Sequence, residues 1–234
     1  MAHGVKDAGS TGDGRSARWD EHRTTRRQEL VLAAVAAIDE HGTGAAVAEM
    51  AASAGVSKPV LYRYFADKDD LYREVGLWGA NAVLDVLRPT LRGDATIRDK
   101  VDRGARDYLA LIAEHPQVFL LLVEHRAEGD PLADGKELIT AAFARTMGDA
   151  LRAVGADAAA AEPWAHGVVG MGLAIGEWWL RRRTLSRKAA ATYLGSFVWH
   201  SFSGMARDNG VDLDEPGLRL VLPLPTESEE RRDA

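Results

Sequence analysis

Apolar residues recur along this chain at helical intervals, and glycine, proline and capping residues punctuate the runs. Leu30, Ala34, Ala37 and Ile38 line one face of a helix expected over residues 27–41, which Gly42 closes in the manner of a C-cap. Val47, Met50, Ala51 and Ala54 stand at i, i+3, i+4 and i+7, so a short second helix has one apolar face, and Gly55 supplies the sharp turn after it. Ser57 is a good N-cap for a third helix. Lys58 and Pro59 fill its first turn, where a missing amide donor costs nothing, and Leu61, Tyr64 and Phe65 form its inward stripe. Asp67 caps a fourth helix, with Asp70 at capping-box spacing and Leu71 and Val75 turned inward. That helix is expected to run through Trp78 and Leu84 to Leu87 and to stop before Pro89.

Further helical runs are expected at 96–114, 116–127, 133–154, 158–183 and 186–209, broken at His115-Pro116, Gly129-Asp130-Pro131, Gly155 and Thr184-Leu185. The one strand-like run, 218–224, contains a proline, and no repeat period is visible. The expected fold is therefore all-α: a three-helix head at 21–82 built around a helix-turn-helix at 46–65, then a helical domain at 83–224. Residues 1–20 are expected to be a disordered basic arm, with a minor-groove contact as an alternative use, and 225–234 a disordered acidic tail.

At 234 residues there is material for a small head and a larger body. Cysteine is absent, which excludes a disulfide frame, a thiolate zinc site and a cysteine nucleophile, and makes the cytoplasm the simplest setting. The first eighteen residues hold no apolar run, so no signal peptide is expected, and the longest apolar stretch, 168–175, is too short to span a membrane. The net charge of −6 argues at first against nucleic acid. Its distribution reverses that: residues 15–28 carry Arg15, Arg18, Arg23, Arg26 and Arg27 against Asp20 and Glu21, a local surplus of three, while acid accumulates at 227–233. A local patch suits sequence-specific rather than non-specific binding.

On the third helix Lys58, Pro59, Val60, Tyr62 and Arg63 face outward, placing two cations, an apolar wedge and a hydroxyl where phosphates and thymine methyls could be met. Residues 55–75, GVSKPVLYRYFADKDDLYREV, resemble the end of the DNA-binding domain of TetR-family regulators. The resemblance covers about 26–84 clearly and the rest by length and helical content. It implies a homodimer on a palindromic double-stranded DNA operator, with a small-molecule effector in the body. The candidate DNA contacts are Arg26, Ser57, Lys58, Pro59, Val60, Tyr62, Arg63, Tyr64 and Lys68, Tyr64 being counted also on the inward stripe.

The run 158–183 carries Gly167, Gly170, Gly172 and Gly176, each costing about 1 kcal/mol in a helix interior. Gly172 and Gly176 have small-xxx-small spacing, a sign of close helix approach, although missing side chains could equally make room for a ligand. The resemblance implies that the last two long helices form a four-helix dimer interface, where Gly172, Gly176, Trp179, Phe197, Ser201 and Met205 are expected. Trp78, Tyr108, Phe119, Leu122, Phe143, Met147, Met171 and Trp178 are candidate ligand-lining residues against core packing as the plain alternative, and Arg126 or Arg181 could meet an anionic group at the mouth. His115, Glu124, His125, His166 and Glu177 show no i, i+4 ligand pair, so no metal and no cofactor is expected. The glycine run at 167–172 follows no strand and there is no GxSxG, so no enzyme is expected.

The sequence thus points to a ligand-responsive DNA-binding regulator, most simply a repressor. The runs VFLLLVEHR, GVVGM and WWL, with SKPVLY in the third helix, are similar to actinobacterial family members that respond to long-chain acyl-CoA. Regulators of drug-efflux pumps within the family, and a DNA-independent helical interaction protein, are the alternatives.

Overall fold

The computed structural model describes residues 13–124, 130–208 and 210–214, with side chains from residue 22 onward. Among them the chain forms nine α-helices, one 3-10 turn and no strand. The run 218–224 and the acidic tail lie outside the described residues.

α1 (Asp13–His41) begins ahead of the expected residue 27 and takes in 13–20 of the segment expected as an arm. No glycine or proline interrupts 15–28, so a helix nucleated downstream can propagate back through it. α2 (Val47–Ser53) ends on Gly55 at φ +65, with Val56 N–H donating to the Ala51 carbonyl at 3.0 Å, which closes the helix and turns the chain. α3 (Lys58–Leu61) is a single turn continued by hydrogen-bonded turns to Phe65. Leu30, Ala34, Ile38, Met50, Leu61, Phe65, Leu71 and Val75 are buried together as the head's core.

α4 (Lys68–Arg92) runs straight through Pro89, contrary to the expected stop. Proline deletes one amide bond near the helix end, but Leu87 and Thr90 on either side are buried, the Thr90 hydroxyl donates to Asp107 at 3.1 Å, and Lys100 Nζ donates to the Leu91 carbonyl at 3.0 Å. These tertiary contacts hold the last turn. α5 (Ile97–Glu114), α6 (Pro116–Glu124), α7 (Ala133–Ala153), a 3-10 turn (Ala158–Ala160), α8 (Ala161–Arg182) and α9 (Arg187–Asp208) make the body. Thr96, expected as the first helical residue, instead caps α5 by accepting from Asp99 N–H.

The two units share elements. On α6, Val118 and Leu121 belong to the head's core, whereas Phe119 and Val123 belong to a cluster with Leu109, Ile112, Trp179 and Leu194 of α5, α8 and α9. α4 seals the head with Leu71, Tyr72 and Val75 and continues into the body with Leu84 and Leu87. It crosses α7 at Gly76 and Gly135.

Candidate nucleic-acid interface and effector cavity

Leu61 and Phe65 are fully buried, and this fixes which face of the helix pair looks out. Ser57, Lys58, Pro59, Tyr62, Arg63 and Lys68 are exposed there, with Val60 half-buried among them. Ser57 holds the N-cap backbone position but its side chain makes no capping bond. Lys58 Nζ stands 5.8 Å from the Tyr62 ring centroid and Lys68 Nζ 4.7 Å from that of the buried Tyr72, so both cations lie over aromatic faces. Tyr64 is half-buried against the head's core, which places it on the inward side of its two expected roles. Arg26 pairs with Glu29 at 2.5 Å on α1.

Arg27 is not part of the outward basic surplus. It donates to the Tyr64 carbonyl, to Asp70 at 2.9 Å and to Glu74 at 3.0 Å, and its guanidinium lies 4.4 Å from the centroid of Phe65. One side chain therefore ties α1 to the end of α3 and the start of α4, using the planar fork of donors that lysine lacks. Burial works against its charge, but the hydrogen bonds and charges of Glu74 and Asp70 outweigh this and raise its pKa. Burial likewise opposes ionisation of Asp70, yet the Ala66 amide, Arg27 and Arg73 hold its carboxyl below the ordinary value. The capping pair at the head of α4 is offset from the usual box: Asp67 accepts from Asp70 N–H at 2.7 Å, while Asp70 accepts from Ala66 N–H at 2.9 Å. Nothing in residue spacing signals Arg27, because its partners lie 37 to 47 residues away.

The body holds two half-open apolar cavities of about 170 and 130 Å³, each with Leu91, Lys100, Val101, Phe143 and Phe202 in its wall. The larger is walled by α4 through Gly76, Gly79, Ala80, Val83 and Leu87, and by Tyr108, Phe119, Leu122 and Phe143, four of the expected lining residues. Met147 lines the smaller one. Three expected lining residues do not reach either cavity. Trp78 packs at the joint of the two units, edge-on to His115 at 4.9 Å; Met171 packs into the α5–α6–α8–α9 cluster; Trp178 is 43% exposed. Helical phase explains the last, since Trp179 next to it takes the inward position. Arg126 lies outside the described residues, and Arg181 is paired with Glu124 at 2.9 Å and Glu177 at 3.1 Å.

The glycines of α8 divide by phase as well. Gly172 and Gly176, expected between subunits, face inward: a methyl on Gly172 would meet Tyr108 at 3.6 Å, and one on Gly176 would lie 2.6 Å from Phe119. Trp179 is buried with Nε1 donating to the Leu185 carbonyl at 3.0 Å, and Met205 lines the smaller cavity, so these two also leave the expected interface. The outward face holds Gly167 and Gly170, whose missing methyls would meet nothing within 4 Å, with the exposed Trp178, Tyr193 and Phe197 and the half-buried Ser201. Among the described residues, no three acidic or histidine side chains converge to hold a metal ion, and no helix is long and apolar enough to cross a membrane.

Comparison with known proteins agrees with this architecture. Residues 30–75 match the family described as bacterial regulatory proteins, tetR family, and residues 86–213 match the tetracyclin repressor-like C-terminal domain. An HTH-type transcriptional regulator of Mycobacterium tuberculosis is 29% identical over 201 residues, covering 85% of this chain and 86% of its own. The HTH-type transcriptional activator FasR of Mycolicibacterium smegmatis is 28% identical, covering 77% and 84%. In fold, the chain is similar to FadR of Bacillus subtilis, solved in complex with stearoyl-CoA, with a TM-score of 0.60 at 14% identity over 73% of this chain and 96% of that one.

Proposed function

The chain belongs to the TetR family of bacterial regulatory proteins, DNA-binding transcriptional regulators rather than enzymes, and we propose that it is a cytoplasmic, homodimeric repressor released from a palindromic operator by a hydrophobic molecule in the body. The observation that carries this reading is the double membership of α4: its first turns close the head's core and its next turns wall the larger cavity. Occupying the cavity then bears directly on the helix that carries the head. Two recognition helices must stand about one helical turn, 34–36 Å, apart to meet both half-sites. A ligand that prefers another spacing shifts the population away from DNA; tight binding without such a preference would do nothing.

The outward face of α8 and α9, with Trp178, Tyr193 and Phe197 exposed beside Gly167 and Gly170, is the surface we assign to the partner subunit. Long-chain acyl-CoA is the favoured effector, supported by the carbon-lined cavities and by the stearoyl-CoA complex of the similar Bacillus subtilis protein. The name of FasR, an activator, favours a second reading of the sign, in which the same ligand changes DNA contacts to activate. Mobility shift with DNA from the chain's own upstream region, titrated with acyl-CoA of increasing length, tests the proposal. Release in order of chain length is expected. Release by cationic or aromatic drugs alone would replace the lipid reading with that of an efflux regulator, and failure to bind any such DNA would favour the interaction-protein reading.

A further inference from the structure

Three side chains with polar groups stand in the wall of the larger cavity: Lys100, Lys136 and Tyr108. Two are engaged with the protein. Lys136 Nζ lies 2.8 Å from Asp130 Oδ2, and Lys100 Nζ donates to the Leu91 carbonyl at 3.0 Å. Tyr108 touches Phe119 edge-on at 6.3 Å between ring centroids, and its hydroxyl has no hydrogen-bond partner among the described residues. The hydroxyl stands in an almost wholly apolar wall, where a ligand oxygen that displaces water must accept from it or leave it unmatched at a cost in free energy. Burial also raises the Tyr108 pKa, so the group stays a neutral O–H donor. Gly172 keeps the space in front of it open: a methyl there would stand 3.6 Å from the Tyr108 oxygen.

Resting on the reading that the cavity holds the effector, we propose that Tyr108 is its polar recognition point and that the effector carries a neutral carbonyl oxygen within its apolar body, accepting the Tyr108 hydrogen bond. A carbonyl only accepts, so one donor satisfies it. A ligand hydroxyl would bring a second donor into a wall whose other polar side chains are ammonium groups, which are donors themselves. A carboxylate would have to shed its water beside a neutral phenol.

The test uses the full chain and two probes of one shape, 2-nonanone and 2-methyl-1-nonene, in which a methylene replaces the carbonyl oxygen. Their dissociation constants are measured by displacement of a fluorescent dye from the wild type and from Tyr108→Phe. The ketone-to-alkene affinity ratio is expected to fall about tenfold in Tyr108→Phe, the worth of one hydrogen bond. Should that variant fail to fold, Gly172→Ala, which blocks the approach to the hydroxyl at an ordinary contact distance, is expected to lower the same ratio. If both probes bind and the ratio is unchanged, the Tyr108 assignment is overturned while the cavity reading stands. If neither probe binds the wild type, both are overturned.

Discussion

His115 Nδ1 lies 2.7 Å from Asp39 Oδ2, joining the last turns of α1 to the corner between α5 and α6. The carboxylate can only accept, so the imidazole donates through Nδ1. The other oxygen, Oδ1, accepts from the Gln117 and Val118 amides at 3.1 and 3.4 Å, so a head residue caps a body helix. Asp39→Ala is expected to destabilise the protein by about 2–3 kcal/mol, combining a lost cap with a lost charge-assisted bond. Urea unfolding measures it; a change within about 0.5 kcal/mol, ordinary for a surface substitution, would show the joint to be idle.

Lys58→Ala and Leu61→Ala separate DNA contact from fold. The exposed Lys58 is expected to cost operator affinity, and its loss should make the salt slope shallower by about two units per dimer, with no appreciable change in Tm. The fully buried Leu61 is expected to cost about 2–5 kcal/mol of stability. Identical behaviour of the two variants would contradict the assigned face.

Arg27→Met tests the lock on the head. Asp70 has a folded pKa below its ordinary 3.8, so its ion pair contributes stability above that pH and loses it as pH falls through the lower, folded value. The variant is expected to be less stable than wild type at neutral pH, and the gap should narrow on acidification below about pH 4. Thermal melts across that range read the gap, and a constant difference would assign Arg27 to packing alone.

A glycine series distinguishes the two faces of α8 and the crossing of α4 with α7. A methyl on Gly135 would lie 2.4 Å from the Gly76 carbonyl oxygen, a backbone atom that cannot swing aside, and one on Gly176 would strike Phe119. Gly135→Ala and Gly176→Ala are expected to destabilise by about 1–3 kcal/mol. Gly172→Ala has an ordinary contact and should gain up to about 1 kcal/mol in helix propensity while narrowing the cavity. Calorimetry on the three variants decides, and a uniform sign would refute the division.

Trp178→Glu combined with Phe197→Glu places two carboxylates on the exposed face of α8 and α9. Sedimentation is expected to show a monomer with unaltered affinity for the cavity probes, because neither residue lines a cavity. A dimer that survives would move the interface elsewhere.

Much of the head follows from local chemistry and could be read from the chain. The i, i+3, i+4, i+7 stripe of α2, the turn at Gly55 and the cap at Asp67 depend on neighbours a few residues away, so Leu61 and Phe65 inward with Lys58 and Arg63 outward needed no tertiary information, although the Ser57 side chain makes no capping bond at its N-cap position. The body's helices were legible for the same reason, their breaks being marked by Pro116, Gly155 and Thr184-Leu185. What only the tertiary structure decided was phase and long-range pairing. Periodicity on a helix as apolar as α8 does not say which of Trp178 and Trp179 is buried, or which glycines face a ligand, because both faces are apolar and the choice belongs to the neighbours α5 and α6. The stop expected at Pro89 was overridden by Thr90 and Leu87, whose partners lie in other helices. Arg27 and Asp39 carry roles set by residues far away in sequence, and Tyr108 a place in a cavity wall built by other helices, and such relations exist only once the chain has closed on itself.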